Sequence, residues 1–219
     1  MGNESKRILL SLAGLAVFLL LAFGSEYSTN KNSSNSGTVG GVSRGKTGDT
    51  STYVNSKSGF TGELEENYVD FSFDYPNSWK KDEKAAKGDS PNFVKVEKMS
   101  GDITVENFAV GYFTGQRSVM PKLAAQLSEQ ISSNFPEYKK VSEGETHFGS
   151  YDGYEFRFTS HTDEVNAWGR VILLPGAAGR KGASIIMIAT SKSPDVHGLD
   201  DVGEKGELPI IVKSFKFAE

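Results

Sequence analysis

Residues 68–79 read YVDFSFDYPNSW, and the order of apolar and polar side chains in this stretch decides the fold class. The apolar residues fall on alternate positions: Val69, Phe71, Phe73 and Tyr75. In an extended chain they all point to one face, a pattern typical of an antiparallel strand with one buried and one wet face. Pro76 then ends the strand because it has no backbone N–H to donate to the ladder.

The same alternation of apolar and polar residues predicts six further strands. They are residues 93–99, 103–113, 139–148, 151–160, 165–174 and 184–191. The last of these, SIIMIATS, is apolar enough to be a central strand. In FGSYDGYEF (148–156), Asp152-Gly153 easily adopts the positive φ angles of a tight hairpin, although Gly149 leaves the register of the turn open.

One segment has the periodicity of a helix. Between residues 118 and 135 the apolar side chains recur every four positions: Val119, Leu123, Leu127, Ile131 and Phe135. Ser118 can cap this helix, and Pro121 falls in its first turn, where a missing N–H costs nothing. We therefore expect an amphipathic helix on the sheet. The C-terminal ELPIIVKSFKF (207–217) suits either a helix or a strand and is predicted as a short helix packed on the sheet.

The N-terminal residues predict export and a linker. An uncharged apolar run, residues 8–23, follows Lys6 and Arg7, the charge order of a secretory signal or a signal anchor over 1–24. We expect an uncleaved anchor that tethers the chain to a membrane; cleavage after Gly24 would give a secreted protein. Residues 25–59 are rich in Ser, Asn, Gly and Thr and are predicted as a disordered linker, which leaves 60–219 as the globular domain.

The string GGVSRGKT (40–47) fits the pattern of a phosphate-binding P-loop. A working P-loop needs a buried strand before it and a helix after it, so that backbone N–H groups and the helix dipole converge on phosphate. Neither is predicted here, because the string lies in the linker. We therefore expect no nucleotide.

Composition excludes several other classes of function. The sequence contains no cysteine, so disulfides, thiolate metal sites and a cysteine nucleophile are excluded. The net charge of −4 is concentrated in the domain, which has no basic stripe, so we expect no nucleic-acid partner.

The order of these elements resembles the PsbP-like superfamily of α/β/α proteins, named for an extrinsic subunit of photosystem II. The motif that carries the resemblance is Phe71-x-Phe73-x-Tyr75-Pro76-x-x-Trp79, followed by the hairpin at Gly153 and the closing Ser214-Phe215. The resemblance implies an α+β fold, an antiparallel sheet flanked by helices. It also implies a non-enzymatic binding or assembly role. We expect structural roles for the motif residues: Tyr75, Pro76, Trp79, Gly153 and Phe215.

Few residues suggest chemistry. In SHTDEVNAW (160–168), His161, Asp163 and Glu164 form a mixed nitrogen and oxygen set compatible with zinc or manganese. The loop 193–207 carries carboxylates that could hold calcium: Asp195, Asp200, Asp201 and Glu204. Both segments are also compatible with solvated surface loops. No G-x-S-x-G motif is present, and neighbouring acids such as Glu65-Glu66 would point to opposite faces of a strand.

The sequence therefore predicts a membrane-tethered, extracytoplasmic module that binds a protein partner, without catalysis and without a cofactor. The alternative is an extracytoplasmic sensor that binds a metal or small solute through the His161 region.

Overall fold

The computed structural model describes residues 42–86, 90–176 and 181–218. The strands in these ranges are β1 (Val42–Thr47), β2 (Thr50–Val54), β3 (Phe71–Pro76), β4 (Lys80–Lys81), β5 (Val94–Ser100), β6 (Ile103–Thr114), β7 (Lys139–Phe148), β8 (Tyr151–His161), β9 (Asn166–Pro175), β10 (Lys181–Thr190) and β11 (Lys216–Phe217). The helices are α1 (Glu63–Glu66), α2 (Glu83–Ala86), α3 (Met120–Ser132) and α4 (Leu208–Ser214), with 3₁₀ turns at Arg117–Val119 and Leu199–Asp201.

The strands form two antiparallel sheets. One is seven-stranded in the order β4-β5-β6-β10-β9-β8-β7, and the other is four-stranded in the order β1-β2-β3-β11. After β6 the chain crosses through α3 to the far edge of the large sheet. It then returns strand by strand until β10 pairs with β6. The predicted α+β class with an antiparallel sheet is confirmed.

The central strands of the large sheet, β6, β9 and β10, are buried on both faces. On one face α3 packs against β8 and β9, and the contacting side chains include Leu127, Phe156, Phe158 and Val171. On the other face lie α4 and the small sheet, where Phe73 meets Phe108 with ring centroids 5.0 Å apart. The second covering layer is thus largely a sheet, where the α/β/α expectation placed helices.

The stretch 68–79, which decides the fold class, supplies β3, one of the two inner strands of the small sheet. Phe71, Phe73 and Tyr75 are buried in β3, and Pro76 is its last residue, as predicted. Trp79 is also buried. Phe215 stacks on Phe71 with ring centroids 5.6 Å apart. The C-terminal Ser214-Phe215 of the motif therefore packs against β3, the strand that carries its first residues.

Two local expectations need correction. The hairpin between β7 and β8 turns at Gly149 and Ser150, because Phe148 pairs with Tyr151 and Gly149 has a φ of 58°. Asp152 and Gly153 instead lie within β8. At Gly153 a β-carbon would come 2.7 Å from the carbonyl oxygen of Leu173 on β9, so close packing of neighbouring strands requires the glycine.

The linker prediction is wrong over residues 42–54. These residues form β1 and β2, and β2 pairs with β3 through contacts such as Tyr53 with Phe73. Tyr53 is buried, and its hydroxyl donates to Asn55 Oδ1 at 2.9 Å. The stabilising partner is remote in sequence, so the local composition does not reveal it.

The P-loop-like string is in part described. Gly45, Lys46 and Thr47 lie in β1, and the next element is β2, not the helix that a P-loop requires. The predicted leader at 8–23 lies outside the described residues. Within the described ranges no helix is long and apolar enough to cross a membrane.

Gly169 on β9 tests the packing between α3 and the sheet. It pairs with Phe158, and a β-carbon there would lie 2.1 Å from two ring atoms of Phe158. We expect Gly169→Ala to lower the free energy of unfolding by about 1–3 kcal/mol, because the ring must leave its position in a packed core. Urea unfolding measures this.

Gly144→Ala is the matched control, since Gly144 is also in a strand but a β-carbon there meets no atom within 4 Å. Its effect should stay within about 0.5 kcal/mol. Equal effects of the two substitutions would contradict the described packing.

Candidate binding site under the loop between β10 and α4

The chain between β10 and α4, residues 191–207, crosses one end of the large sheet on the face that carries the small sheet. We call it the 191–207 loop. Its only regular piece within the described structure is the 3₁₀ turn Leu199–Asp201. Val196 and Val202 are fully buried in the core beneath it, so two apolar anchors fix the path of the loop.

Lys98 on β5 forms the centre of a first ionic cluster. Its Nζ lies 2.9 Å from Glu207 Oε2, 3.2 Å from Glu106 Oε1 and 3.5 Å from Asp195 Oδ2. Burial opposes the charge on Lys98, but the hydrogen bonds and charges of Glu207 and Glu106 outweigh it and raise its pKa above the ordinary value. The ammonium group thus joins two strands of the sheet to both ends of the loop.

Glu106 on β6 is the buried acid of this cluster. Its side chain is 0% exposed, and its Oε1 also accepts from Ser193 Oγ at 2.7 Å. Its Oε2 has no hydrogen-bond donor among the described residues. A β-carbon at Gly206 would lie 3.4 Å from this Oε2 and 3.4 Å from Asp195 Cβ, which places the unpaired oxygen directly under the loop.

Trp79 extends the first cluster to the small sheet. Its indole Nε1 donates to Glu207 Oε2 at 3.2 Å. The buried ring therefore has a polar partner for its only N–H, as tryptophans in cores usually do. This contact links the end of the 191–207 loop to the segment that follows β3.

A second ionic cluster lies on β8 and β9. Glu155 is placed between two arginines: its Oε2 accepts from Arg170 Nε at 2.5 Å, and its Oε1 accepts from Arg157 Nε at 2.7 Å. Arg170 is buried and also donates to Thr146 Oγ1 and to the backbone carbonyl of His147, both at 3.3 Å. A buried guanidinium is tolerated because several acceptors surround it.

The loop adds a second carboxylate to each arginine at longer range. Arg170 NH1 lies 3.4 Å from Glu204 Oε1, and Arg157 NH1 lies 3.4 Å from Asp200 Oδ1. The short contacts are thus made within the sheet, and the long ones reach the loop.

The predicted calcium ligands are therefore dispersed. Asp195, Asp200 and Glu204 each face a different cation of the sheet. Asp201 accepts from the backbone N–H of His197 at 2.9 Å and pairs with Lys205, contacts that lower its pKa. The carboxylates do not converge because each has its own basic partner.

The predicted metal ligands at the end of β8 are all exposed. His161 Nδ1 contacts Asn166 Oδ1, its neighbour across the β8–β9 pair, while Asp163 and Glu164 lie in the turn that joins these strands. Across 42–86, 90–176 and 181–218 no three His, Asp or Glu side chains stand together as metal ligands. Residues His161, Asp163 and Glu164 thus do not form a preassembled site.

The charged residues that organise this end of the sheet were not predicted from the sequence. They are Lys98, Glu106, Glu155, Arg157 and Arg170. A signal for two of them was present, since Glu106 and Arg170 interrupt otherwise apolar strands, ITVENFAVGYFT and NAWGRVILLP. A charge in such a strand must find a partner inside the protein.

Comparison with known proteins gives distant structural likenesses, three of which are as follows. No family model and no curated protein matches this sequence. The first structure is a crystal structure from Bacteroides thetaiotaomicron, with 13% identity, 68% of this chain and 45% of that chain covered, and a TM-score of 0.40. This chain therefore spans less than half the length of that protein.

The other two are covered almost entirely. LpqN, involved in cell envelope biogenesis of Mycobacterium tuberculosis, has 8% identity, 78% of this chain and 93% of that chain covered, and a TM-score of 0.45. Cyanobacterial PsbP (CyanoP) from Synechocystis sp. PCC 6803 has 15% identity, 81% and 98% coverage, and a TM-score of 0.46. This cyanobacterial protein is a PsbP, the family that the sequence motif resembles, and none of these likenesses identifies a function.

Arg170 tests the second cluster. We expect Arg170→Met to lower the free energy of unfolding by about 3 kcal/mol, because the buried carboxylate of Glu155 then loses its closest partner. Chemical denaturation of the purified protein gives this value.

Arg117→Met is the control, because Arg117 forms an ion pair of similar length with Glu145, 2.6 Å, but on the exposed surface. This substitution should cost less than about 1 kcal/mol. If the two variants lose the same stability, the second cluster contributes no more to stability than an exposed ion pair, which would contradict this account.

Proposed function

We propose that this chain is an extracytoplasmic binding module that recognises a partner protein through the 191–207 loop and is tethered to a membrane by its N-terminal leader. The observation that carries the proposal is the loop itself. Connections longer than about 12–15 residues are uncommon in compact domains and are usually functional or disordered. This one is held in place, which favours a functional surface.

The way the loop is held supports binding over catalysis. Val196 and Val202 anchor it in the core, and Lys98, Arg157 and Arg170 receive its carboxylates. The short contact of Glu207 with Lys98 and the two buried valines fix the loop in one position, and the longer contacts leave its other carboxylates facing solvent. A fixed loop on a rigid sheet is how many proteins present a recognition surface.

The location rests on the sequence. The apolar run at 8–23 behind Lys6 and Arg7 directs export, and retention of the leader would keep the domain at a membrane surface. Cleavage would release it. The alternative of a metal or solute sensor at His161 has no contact in the described structure that favours it.

The absence of cysteine allows one experiment to test both location and binding. His197→Cys places a single thiol on the exposed side of the loop, and Glu129→Cys places one on the exposed side of α3. Intact cells of the native host are treated with a membrane-impermeant, thiol-reactive crosslinker. We expect both positions to react, and only Cys at position 197 to yield a discrete crosslinked species.

The two parts of the proposal can fail separately. Reaction only after lysis would contradict the extracytoplasmic location. Reaction at both positions without a product specific to position 197 would contradict recognition through the loop.

A further inference from the structure

We propose that the partner-binding surface is acidic, and that Asp195, Asp200 and Glu204 receive a lysine- or arginine-rich segment of a partner protein. This inference rests on the binding role proposed for the 191–207 loop and adds the chemistry of its partner. We call these three residues the outer carboxylates.

The outer carboxylates are only loosely paired with the sheet. Their contacts to Lys98, Arg157 and Arg170 measure 3.5, 3.4 and 3.4 Å. The same three cations make much shorter contacts to inner carboxylates, 2.9 Å to Glu207 and 2.7 and 2.5 Å to Glu155. The inner contacts therefore satisfy the cations, and the outer contacts leave acceptor capacity unused.

Exposure separates the two sets of charges. The side chains of Asp195, Asp200 and Glu204 are 52%, 98% and 66% exposed, whereas those of Lys98, Arg157 and Arg170 are 18%, 25% and 4% exposed. The carboxylate is thus the more exposed member of each of these three pairs. Each ionised carboxylate has about four acceptor positions, so it can take a second donor without losing its first.

The first cluster also has more negative than positive charges. Around Lys98 stand three carboxylates, those of Glu106, Asp195 and Glu207, against one ammonium group. The unpaired Oε2 of the buried Glu106 lies beside Asp195 and Gly206 and lacks any donor in the described parts of the chain. A cationic side chain docked at Asp195 would offset this excess of negative charge.

The surface is prepared for binding before a partner arrives. Because Val196 and Val202 are buried, the loop that carries the outer carboxylates is already ordered and loses little conformational entropy on association. Three like charges on a fixed loop also attract a basic segment from a distance and orient it, an effect that weakens with salt.

A synthetic hexalysine peptide tests the proposal. It is titrated into the full chain purified in detergent. Calorimetric titration compares the wild type with D195N/D200N/E204Q. We expect measurable binding at low salt, weakened at least about tenfold in this variant, which corresponds to about 1.4 kcal/mol. Binding should also weaken as ionic strength rises.

The control D70N/E129Q/D152N removes the same number and kind of charges at exposed positions outside the loop: just before β3, on α3 and at the start of β8, the end of that strand opposite the loop. It should weaken binding less than about twofold, because the proposed binding depends on the outer carboxylates and not on the net charge of the protein. Urea unfolding of both variants verifies that each remains folded; the outer contacts are long and exposed, so stability should change little.

Two results would overturn the inference. One is the absence of hexalysine binding to the wild type at low salt. The other is equal weakening in both variants, since attraction would then follow net charge and not this surface. A position-specific crosslink from the loop together with either result would leave the binding role standing and remove only the basic partner.

Discussion

The structure depends on one electrostatic constraint: Glu155, Arg157 and Arg170 are charged side chains on the inner face of a sheet, where they are only 10%, 25% and 4% exposed to water. Glu155 lies between the two guanidinium groups, at 2.5 and 2.7 Å. Removing Glu155 would take the closest carboxylate from both guanidinium groups, and removing Arg170 would leave Glu155 with the more exposed Arg157; either change costs more than the intact group contributes. Lys98 and Glu106 repeat the arrangement two strands away, across β10. Polar pairs therefore replace apolar packing at this end of the sheet.

This constraint also positions the C-terminal part of the chain. The 191–207 loop covers both ionic clusters and ends at Glu207, which contacts Lys98 and Trp79. Helix α4 starts at the next residue, and at its end Ser214 Oγ accepts from the backbone N–H of Asp74 on β3 at 2.9 Å. The loop, the helix and the small sheet are thus linked in series. A partner that contacts the loop would touch the element that joins the two sheets.

Regular alternation of apolar and polar residues predicts most of the fold but not the ionic clusters. Phe71, Phe73 and Tyr75, and the four-residue spacing from Leu123 to Ile131, are local patterns with one structural solution each. Strands β1 and β2 were missed because Tyr53 is buried by β3, a partner that local composition does not reveal. The ionic clusters were missed for a similar reason. Asp200 and Glu204 look like solvated loop charges until β8 and β9 place Arg157 and Arg170 beneath them.

Native-state hydrogen exchange within the 191–207 loop tests most directly the claim that paired charges and two buried valines hold it fixed. The backbone N–H groups of Glu204 and Lys205 donate to the carbonyl oxygen of Asp201 at 3.0 and 2.9 Å, and that of His197 donates to the Asp201 carboxylate at 2.9 Å. We predict that these amides exchange as slowly as those of β10, because they open only when the sheet does. Exchange at the rate of an unstructured loop, with β10 still protected, would contradict the account.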